Sequence, residues 1–182
     1  MRIGIDISQI VYEGTGVGTY VRRMVETLLK TDTKNSYILF GASLRKKQVF
    51  EEFFQRMKKI NSNVELKSVS IPPTALDVMW NRLHMTPVEK FTGPLDIFWS
   101  SDWTQPPLQH AIGVTTIHDL STMRFPAEMD AGIVATHARR LKWVTKECKA
   151  IFCDSESTKK DCITLLHIPE ERLHVIYPGF SV

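Results

Sequence analysis

The sequence predicts an α/β fold in which a mainly parallel sheet of seven strands carries helices on both faces. Two observations predict it. Short apolar runs rich in β-branched and aromatic residues alternate with longer amphipathic stretches, which is the pattern of successive βα units. The runs are also apolar enough for strands that are covered on both faces, as the strands of a parallel sheet are. The seven runs are residues 2–7, 36–40, 64–71, 96–99, 114–117, 150–153 and 174–177.

The amphipathic stretches predict four helices, at residues 18–30, 44–60, 131–149 and 158–166. In the first helix the apolar residues recur at i, i+3, i+4 and i+7, so that they share one face: Val21, Met24, Val25 and Leu28. The last helix is predicted to open with a capping box formed by Thr158 and Asp161. Strands and helices together predict a Rossmann-like, doubly wound layer.

The composition favours one globular domain and excludes several classes of protein. A chain of 182 residues with 43% hydrophobic and 24% charged residues is neither disordered nor fibrous. A net charge of +3 is too small to predict a nucleic-acid partner, and we expect none. The three cysteines form no metal or disulfide pattern, and no apolar run is long enough for a signal peptide or a membrane span. We therefore expect a cytoplasmic protein.

A glycine-rich turn connects the first strand to the first helix: Gly14, Thr15, Gly16, Val17 and Gly18. In a doubly wound sheet this turn lies at the carboxyl edge of the strands, where backbone N–H groups and the helix dipole can bind a phosphate. The spacing is not that of a dinucleotide fingerprint, and no acid ends the second strand, which argues against NAD binding. The turn is either a phosphate-binding loop or a loop whose glycines only permit a tight turn.

Two further loops follow predicted strands at the same edge. His118 and Asp119 come directly after the fifth strand, where the imidazole could bond a hydroxyl and the carboxylate could orient it or bond the loop backbone. The alternative is a His-Asp pair that only closes the loop. Asp102 and Trp103 follow the fourth strand, and the Trp103 ring could be a platform for a sugar ring or a cover for the end of the sheet.

A basic stripe is predicted on the third helix, because four cations recur there at spacings of three, four and three: Arg139, Lys142, Lys146 and Lys149. Such a stripe could lie against an anionic membrane or a phosphorylated lipid acceptor, or it could be a solvated helix face. The remaining histidines have no metal-binding spacing, and we expect no metal site.

Taken together, these residues resemble the N-terminal domain of family 4 glycosyltransferases, in particular the mannosyltransferase-like members. The resemblance covers nearly the whole chain. Its pieces are Ile3-Gly4-Ile5-Asp6, the segment from Gly14 to Tyr20, Leu95-Asp96-Ile97-Phe98, the segment from Val114 to Leu120 with Pro126, the segment from Asp154 to Asp161, and the segment from Ile168 to Gly179.

The resemblance implies one half of a GT-B enzyme, in which two Rossmann-like domains face each other across a cleft. Residues 1–182 would form the acceptor-side domain, and its partner would be a C-terminal donor-binding domain that these residues do not include. His118 would reach the donor sugar, and the turn from Gly14 to Gly18 would lie near the donor phosphates. The candidates for the acceptor side of the cleft are Asp102, Trp103, Asp119 and Ser155, and Ser155 would act there chiefly as the cap of a helix.

The activity implied is metal-independent transfer of a hexose, such as mannose or glucose, from a nucleotide-sugar to a saccharide or lipid-linked acceptor. The anomeric configuration would be retained through a same-face displacement, and the isolated chain would be inactive. The alternative is a non-catalytic module of the same fold that binds a glycan or a partner. An oxidoreductase half is disfavoured by the glycine spacing.

Overall fold

In the computed structural model, which describes residues 1–179, the chain forms one seven-stranded sheet in the order β3-β2-β1-β4-β5-β6-β7. The last three residues of the predicted domain lie outside this range. All strand pairs are parallel. The strands are β1 (Arg2–Asp6), β2 (Ser36–Ala42), β3 (Val64–Val69), β4 (Ile97–Ser100), β5 (Ile112–Ile117), β6 (Cys148–Cys153) and β7 (Leu173–Val175). The seven predicted strands and the doubly wound α/β fold are therefore confirmed.

Seven α-helical segments connect the strands within residues 1–179, and four of them are the long helices that the sequence predicts. They are α1 (Gly16–Thr31), α2 (Lys47–Ile60), α3 (Pro73–Leu76), α4 (Glu89–Thr92), α5 (Ser121–Arg124), α6 (Ala131–Glu147) and α7 (Glu156–Leu166). The predicted capping box is wrong. Ser155 caps α7 instead, because its side chain accepts the N–H of Thr158, which is already inside the helix.

Side chains alternate between the two faces of the sheet, as the strand repeat of two requires. Tyr37 and Leu39 of β2 pack with α1 and α2 on one face. Ile38 and Phe40 face the other way and pack around Trp80, which is fully buried. Helices α6 and α7 bury their apolar sides against β5, β6 and β7. The sheet is thus covered on both faces, which explains its nearly continuous apolar strands.

The sequence analysis assigned no strand or helix to the segment around Trp80, yet this segment is helical. A π-helical turn at Asp77–Arg82 follows α3, and α4 comes shortly after it. The Trp80 ring lies 5.7 Å from the Phe40 ring and 6.2 Å from the Phe91 ring. These contacts order the segment, and they join residues too far apart in the chain for local periodicity to reveal. Within residues 1–179, no helix is both long and apolar enough to cross a membrane.

Candidate functional site

The strand order reverses between β1 and β4, and a narrow crevice of about 10 Å³ lies at the carboxyl ends of these strands. In open α/β sheets ligands bind at such a reversal, because the connections on its two sides leave in opposite directions. Polar groups from β1, α1, β4 and β5 converge on this crevice: Asp6, Tyr20, Ser100, Ser101, Asp102, Thr116 and His118. His118 and Asp102, both predicted as site residues, therefore lie in one place.

His118 is held by a carboxylate that the sequence analysis did not assign to it. Ile117 and Cys153 are paired in the sheet, so the next residues, His118 and Asp154, leave neighbouring strands side by side. The His118 Nδ1 lies 2.7 Å from Asp154 Oδ2. The backbone carbonyl of His118 accepts the Thr158 hydroxyl at 3.0 Å. With Nδ1 bonded to Asp154, Nε2 is the ring nitrogen that can bond a ligand.

Two further contacts fix the imidazole. The ring of Tyr20, which comes from α1, stands edge-on to the His118 ring with centroids 4.8 Å apart. The Tyr20 hydroxyl is 3.2 Å from Thr116 Oγ1, which also accepts the indole N–H of Trp99 at 3.2 Å. The side chain of His118 is only 16% exposed. The position of His118 is thus set by residues of α1 and α7 and by residues in or directly after β4, β5 and β6.

The pKa of His118 is raised above its ordinary value. Burial acts to lower this pKa, but the hydrogen bond to Asp154 and the negative charges of Asp102 and Asp154 outweigh burial. The buried guanidinium of Arg140 opposes the rise. The protonated form of His118 is therefore more stable than that of an ordinary histidine, and in this form the ring can donate hydrogen bonds from both nitrogens.

Asp119 and Ser155 have local structural roles. Asp119 is exposed, and its Oδ1 accepts the backbone N–H of Ser121 at 2.8 Å. Of the two roles open to this carboxylate, the structure shows the bond to the loop backbone, while Asp154 orients the histidine. Ser155 caps α7 by accepting the Thr158 N–H at 3.1 Å, which is the role that the sequence analysis expected.

The glycine-rich turn ends in the N-terminus of α1, and its three glycines have different surroundings. Gly14 has a φ of +76°, which residues with side chains rarely adopt. A Cβ on Gly18 would lie 2.8 Å from the carbonyl oxygen of Tyr12. A Cβ on Gly16 would meet no atom within 4 Å. The fold itself thus explains Gly14 and Gly18, whereas Gly16 leaves open space in front of the helix.

Thr15 and Val17 complete this turn. Thr15 is the N-cap of α1, and its Oγ1 accepts the Gly18 N–H at 3.1 Å. Val17 is half-buried and lines the crevice beside Tyr20. The end of a helix that carries a partial positive charge therefore opens next to His118.

Arg140 is a residue of this edge that the sequence analysis missed. It lies inside α6, is 1% exposed, and donates to Ser101 O at 3.0 Å, Thr115 Oγ1 at 2.7 Å and Thr116 O at 3.1 Å. Its guanidinium is also 3.5 Å from Asp102 Oδ1. Arg140 thereby ties the ends of β4 and β5 together beneath the crevice. A single arginine on a helix with several cations gives no sequence signal for this role.

Trp103 lies outside the crevice and lines a second cavity of about 230 Å³. This cavity also touches Ser101, which lines both spaces. The Trp103 ring stands edge-on to His137, with centroids 5.5 Å apart. Most of the other lining residues follow β1 and β2 or belong to α3. Val11, Tyr12, Leu44 and Leu76 give the cavity an apolar part, while Ser8, Gln9, Ser43, Arg45 and Lys46 add polar and cationic groups. The second cavity thus combines apolar and polar lining and adjoins the His118 crevice.

The predicted basic stripe on one helix face is wrong. Helix α6 ends at Glu147, because Cys148 turns extended and joins β6, so Lys149 lies on a strand. Arg139 is paired with Asp77, its Nη2 lying 2.7 Å from Asp77 Oδ2. Lys142 and Lys146 remain exposed, with their Nζ atoms 5.1 and 5.2 Å from the centre of the Trp143 ring.

Comparison with known proteins agrees with this architecture. The sequence model of Glycosyltransferase Family 4 matches residues 14–182, which is nearly the whole chain. No curated protein matches it. The match includes the glycine-rich turn, His118 and Asp154, and the seven-stranded parallel sheet is that of one GT-B half. The chain therefore belongs to glycosyltransferase family 4, as a domain of the N-terminal GT-B type.

Proposed function

We propose that this chain is the acceptor-side half of a retaining glycosyltransferase that moves a hexose, such as mannose or glucose, from a nucleotide-sugar to a saccharide or lipid-linked acceptor. The observation that carries the proposal is that His118 lines the crevice at the strand-order reversal, next to the N-terminus of α1, and is held there by Asp154, whose Oδ2 lies 2.7 Å from His118 Nδ1. The family match supports glycosyl transfer in general.

In this proposal each part of the crevice has a role in the departure of the nucleotide. The positive end of α1 and the open space at Gly16 receive the diphosphate, whose charge grows as the glycosidic bond breaks. His118, with its raised pKa, donates a hydrogen bond from Nε2 to a hydroxyl of the donor sugar. No metal is required for either step. The acceptor hydroxyl attacks from the face that the diphosphate leaves and gives its proton to an oxygen of the departing diphosphate, so the configuration is retained.

The acceptor lies in the second cavity, with a ring against Trp103 and its reacting hydroxyl directed past Ser101 towards His118. The apolar lining and the aromatic ring suit the C–H face of a sugar or the first carbons of a lipid. A crevice of about 10 Å³ is too small for a sugar ring. The proposal therefore requires a donor-binding domain on the other side, and residues 1–182 alone are inactive.

The test is a radiolabelled transfer assay with UDP- and GDP-sugars and octyl glycosides as acceptors. It compares this chain alone with a protein in which a donor-binding domain follows it. We expect transfer only when the donor-binding domain is present, and a loss of about 100-fold or more in kcat for His118→Ala. Near-normal turnover by His118→Ala would refute the role of His118. Absence of transfer with every pair would favour a non-catalytic binding module.

The same proposal includes a peripheral contact with the cytoplasmic face of an anionic membrane. The contact surface is centred on Lys142 and Lys146 and not on the four-residue stripe predicted from the sequence. Lys142 and Lys146 flank Trp143, and the His84 ring stacks on Trp143 at 3.6 Å. The neighbours of His84 are exposed and apolar: Leu83 is 60% and Met85 57% exposed. Cations beside exposed apolar side chains are the composition of an interfacial membrane site.

Vesicle sedimentation tests this contact. Each lysine near an anionic surface contributes about 1 kcal/mol, so Lys142→Ala with Lys146→Ala should weaken binding to phosphatidylglycerol vesicles by roughly 30-fold. The control is Lys34→Ala with Lys59→Ala, which removes the same charge from exposed sites elsewhere. Equal binding by the two double variants would contradict a specific surface.

A further inference from the structure

Asp6, the last residue of β1, is a buried acid to which the proposed mechanism gives no role. It is 2% exposed. Its Oδ1 accepts the backbone N–H of Ser8 at 2.8 Å, which fixes the turn after the strand. Its Oδ2 is buried and has no hydrogen-bond partner within residues 1–179. Buried polar atoms without partners are rare in folded proteins, so this oxygen requires an explanation.

The carboxyl group of Asp6 lies in the same crevice as His118. Ser101 and Thr116 line the crevice between them. The Ser101 hydroxyl lies near enough to lower the pKa of Asp6, but Ser101 Oγ accepts the backbone N–H groups of Trp103 and Thr104, both at 3.3 Å, and makes no hydrogen bond with Oδ2. Asp6, whose Oδ2 has no hydrogen-bond partner within residues 1–179, and His118 thus line one and the same crevice.

The chemistry of this acid favours a neutral hydroxyl as its partner. Burial raises the pKa of Asp6, and the bonds from Ser8 only partly offset the effect of burial. A carboxyl group that carries its proton can donate a hydrogen bond as well as accept one. No lysine or arginine is among the residues that line the crevice in the described part of the chain. A hydroxyl, which also donates and accepts, complements such a group better than a cation.

The size of the crevice limits its occupant. A space of about 10 Å³ is close to the smallest volume that holds one water molecule. A sugar ring therefore does not fit inside it, and only hydroxyl groups of a ring outside the crevice reach its lining. The second cavity, of about 230 Å³, shares Ser101 with the crevice and is the adjoining space for the rest of a larger molecule.

We propose that Oδ2 of Asp6 binds the reacting hydroxyl of the acceptor and holds it beside His118. This assignment rests on the proposed function, because it names the group that orients the nucleophile of that reaction. Asp6 is not the nucleophile, since its carboxyl group is recessed at the end of β1 and one of its oxygens is bonded to Ser8.

A purely structural role for Asp6 makes a different prediction. In that case the bond from the Ser8 N–H would be the whole function of Asp6. Asp6→Asn keeps an oxygen that can accept this N–H and changes only the group at the Oδ2 position. The structural role therefore predicts that this variant is normal in folding and in transfer, whereas our assignment predicts a defect in the use of the acceptor.

The experiment uses the protein that carries both domains, with octyl glucoside and octyl mannoside as acceptors. For Asp6→Asn we expect kcat/KM for the acceptor to fall at least tenfold, while the Kd for UDP and GDP changes less than twofold. The melting temperature should stay the same or rise, because a buried carboxyl group without a full set of partners is replaced by a neutral amide. Asp6→Ser, a smaller polar side chain, should show the same acceptor defect.

Three outcomes decide the matter. A tenfold loss in both variants with nucleotide binding unchanged supports the assignment. An acceptor kcat/KM within twofold of the wild type in either folded variant refutes it and leaves the proposed function standing. If the wild type itself transfers no sugar to any acceptor, the proposed function is refuted and the assignment of Asp6 with it.

Discussion

Replacing Asp154 by asparagine should separate the charge of the His118–Asp154 pair from its shape. The side chains of His118 and Asp154 are 16% and 22% exposed, and His118 Nδ1 lies 2.7 Å from Asp154 Oδ2. A hydrogen bond between charged partners at this distance contributes about 1.5–3 kcal/mol. Because both groups are mostly shielded from solvent, we expect Asp154→Asn to lose much of this contribution wherever His118 is protonated.

The sign of the pH dependence follows from the direction of the pKa shift. Burial lowers the pKa of His118, but the hydrogen bond to Asp154 and the nearby negative charges raise it by more than burial lowers it. The pKa in the folded protein therefore exceeds the unfolded value of about 6.5. The ionic stabilisation is therefore fully present below about pH 6.5 and is lost as the pH rises through the folded pKa. Asp154→Asn should cost about 1.5–3 kcal/mol at pH 5.5 and clearly less at pH 9.

Urea unfolding at these two pH values measures the loss, and an NMR titration of the His118 ring measures its pKa directly. The matched control is Asp119→Asn, which removes a carboxylate next to His118 in the sequence that bonds only Ser121. The control should leave the His118 titration almost unchanged. The reasoning fails if Asp154→Asn leaves the pKa of His118 in place, or if the two variants lower it equally.

Three other predictions concern the sheet edge, the turn and the second cavity. Arg140→Met should lower the free energy of unfolding by about 3–5 kcal/mol, because it removes hydrogen bonds from buried acceptors. The control Lys142→Met, at an exposed site, should lower it by less than about 0.5 kcal/mol in the same urea titration. A small loss for Arg140→Met would contradict the role of Arg140 beneath the crevice. Gly18→Ala should destabilise the fold by about 1–3 kcal/mol, because the added Cβ meets a backbone carbonyl. Gly16→Ala should leave the melting temperature unchanged and lower sugar transfer by the two-domain protein. Equal stability of the two variants would refute the different roles given to the two glycines. Trp103→Ala removes the aromatic ring proposed to contact the acceptor, so the KM for octyl glycosides should rise about fivefold to tenfold while the Kd for UDP and GDP stays unchanged. An unchanged KM would exclude the second cavity as the acceptor site.

Local pattern predicted most of the fold. The seven strands and the four long helices were visible because apolar runs and an i, i+3, i+4, i+7 repeat report burial directly. Where the interpretation failed, a distant contact decided the outcome. Residues 77–82 are helical because Trp80 packs on Phe40 and Phe91, and α6 stops before Lys149 because Cys148 belongs to a strand.

The candidate site was only partly visible. His118, Asp102 and the glycine-rich turn could be placed at the carboxyl edge because each follows a predicted strand. The sequence analysis considered only Asp119, the neighbour of His118 in sequence, as a carboxylate that could orient the imidazole, and it left open whether Asp119 instead bonds the loop backbone. The partner across the sheet could not be inferred from the sequence. Asp154 becomes the partner only when Ile117 pairs with Cys153.

The sequence by itself determined the fold class, the strand segments, the sheet edge that carries the candidate site, and the family. Those properties depend on periodicity, on turn residues and on motifs, all of which are local. The tertiary structure alone decided that Asp154 orients His118, that Arg140 holds the ends of two strands together, and that Asp6 Oδ2 has no hydrogen-bond partner within residues 1–179. These properties depend on register, burial and hydrogen bonding between segments distant in the chain, which only the packed sheet brings together.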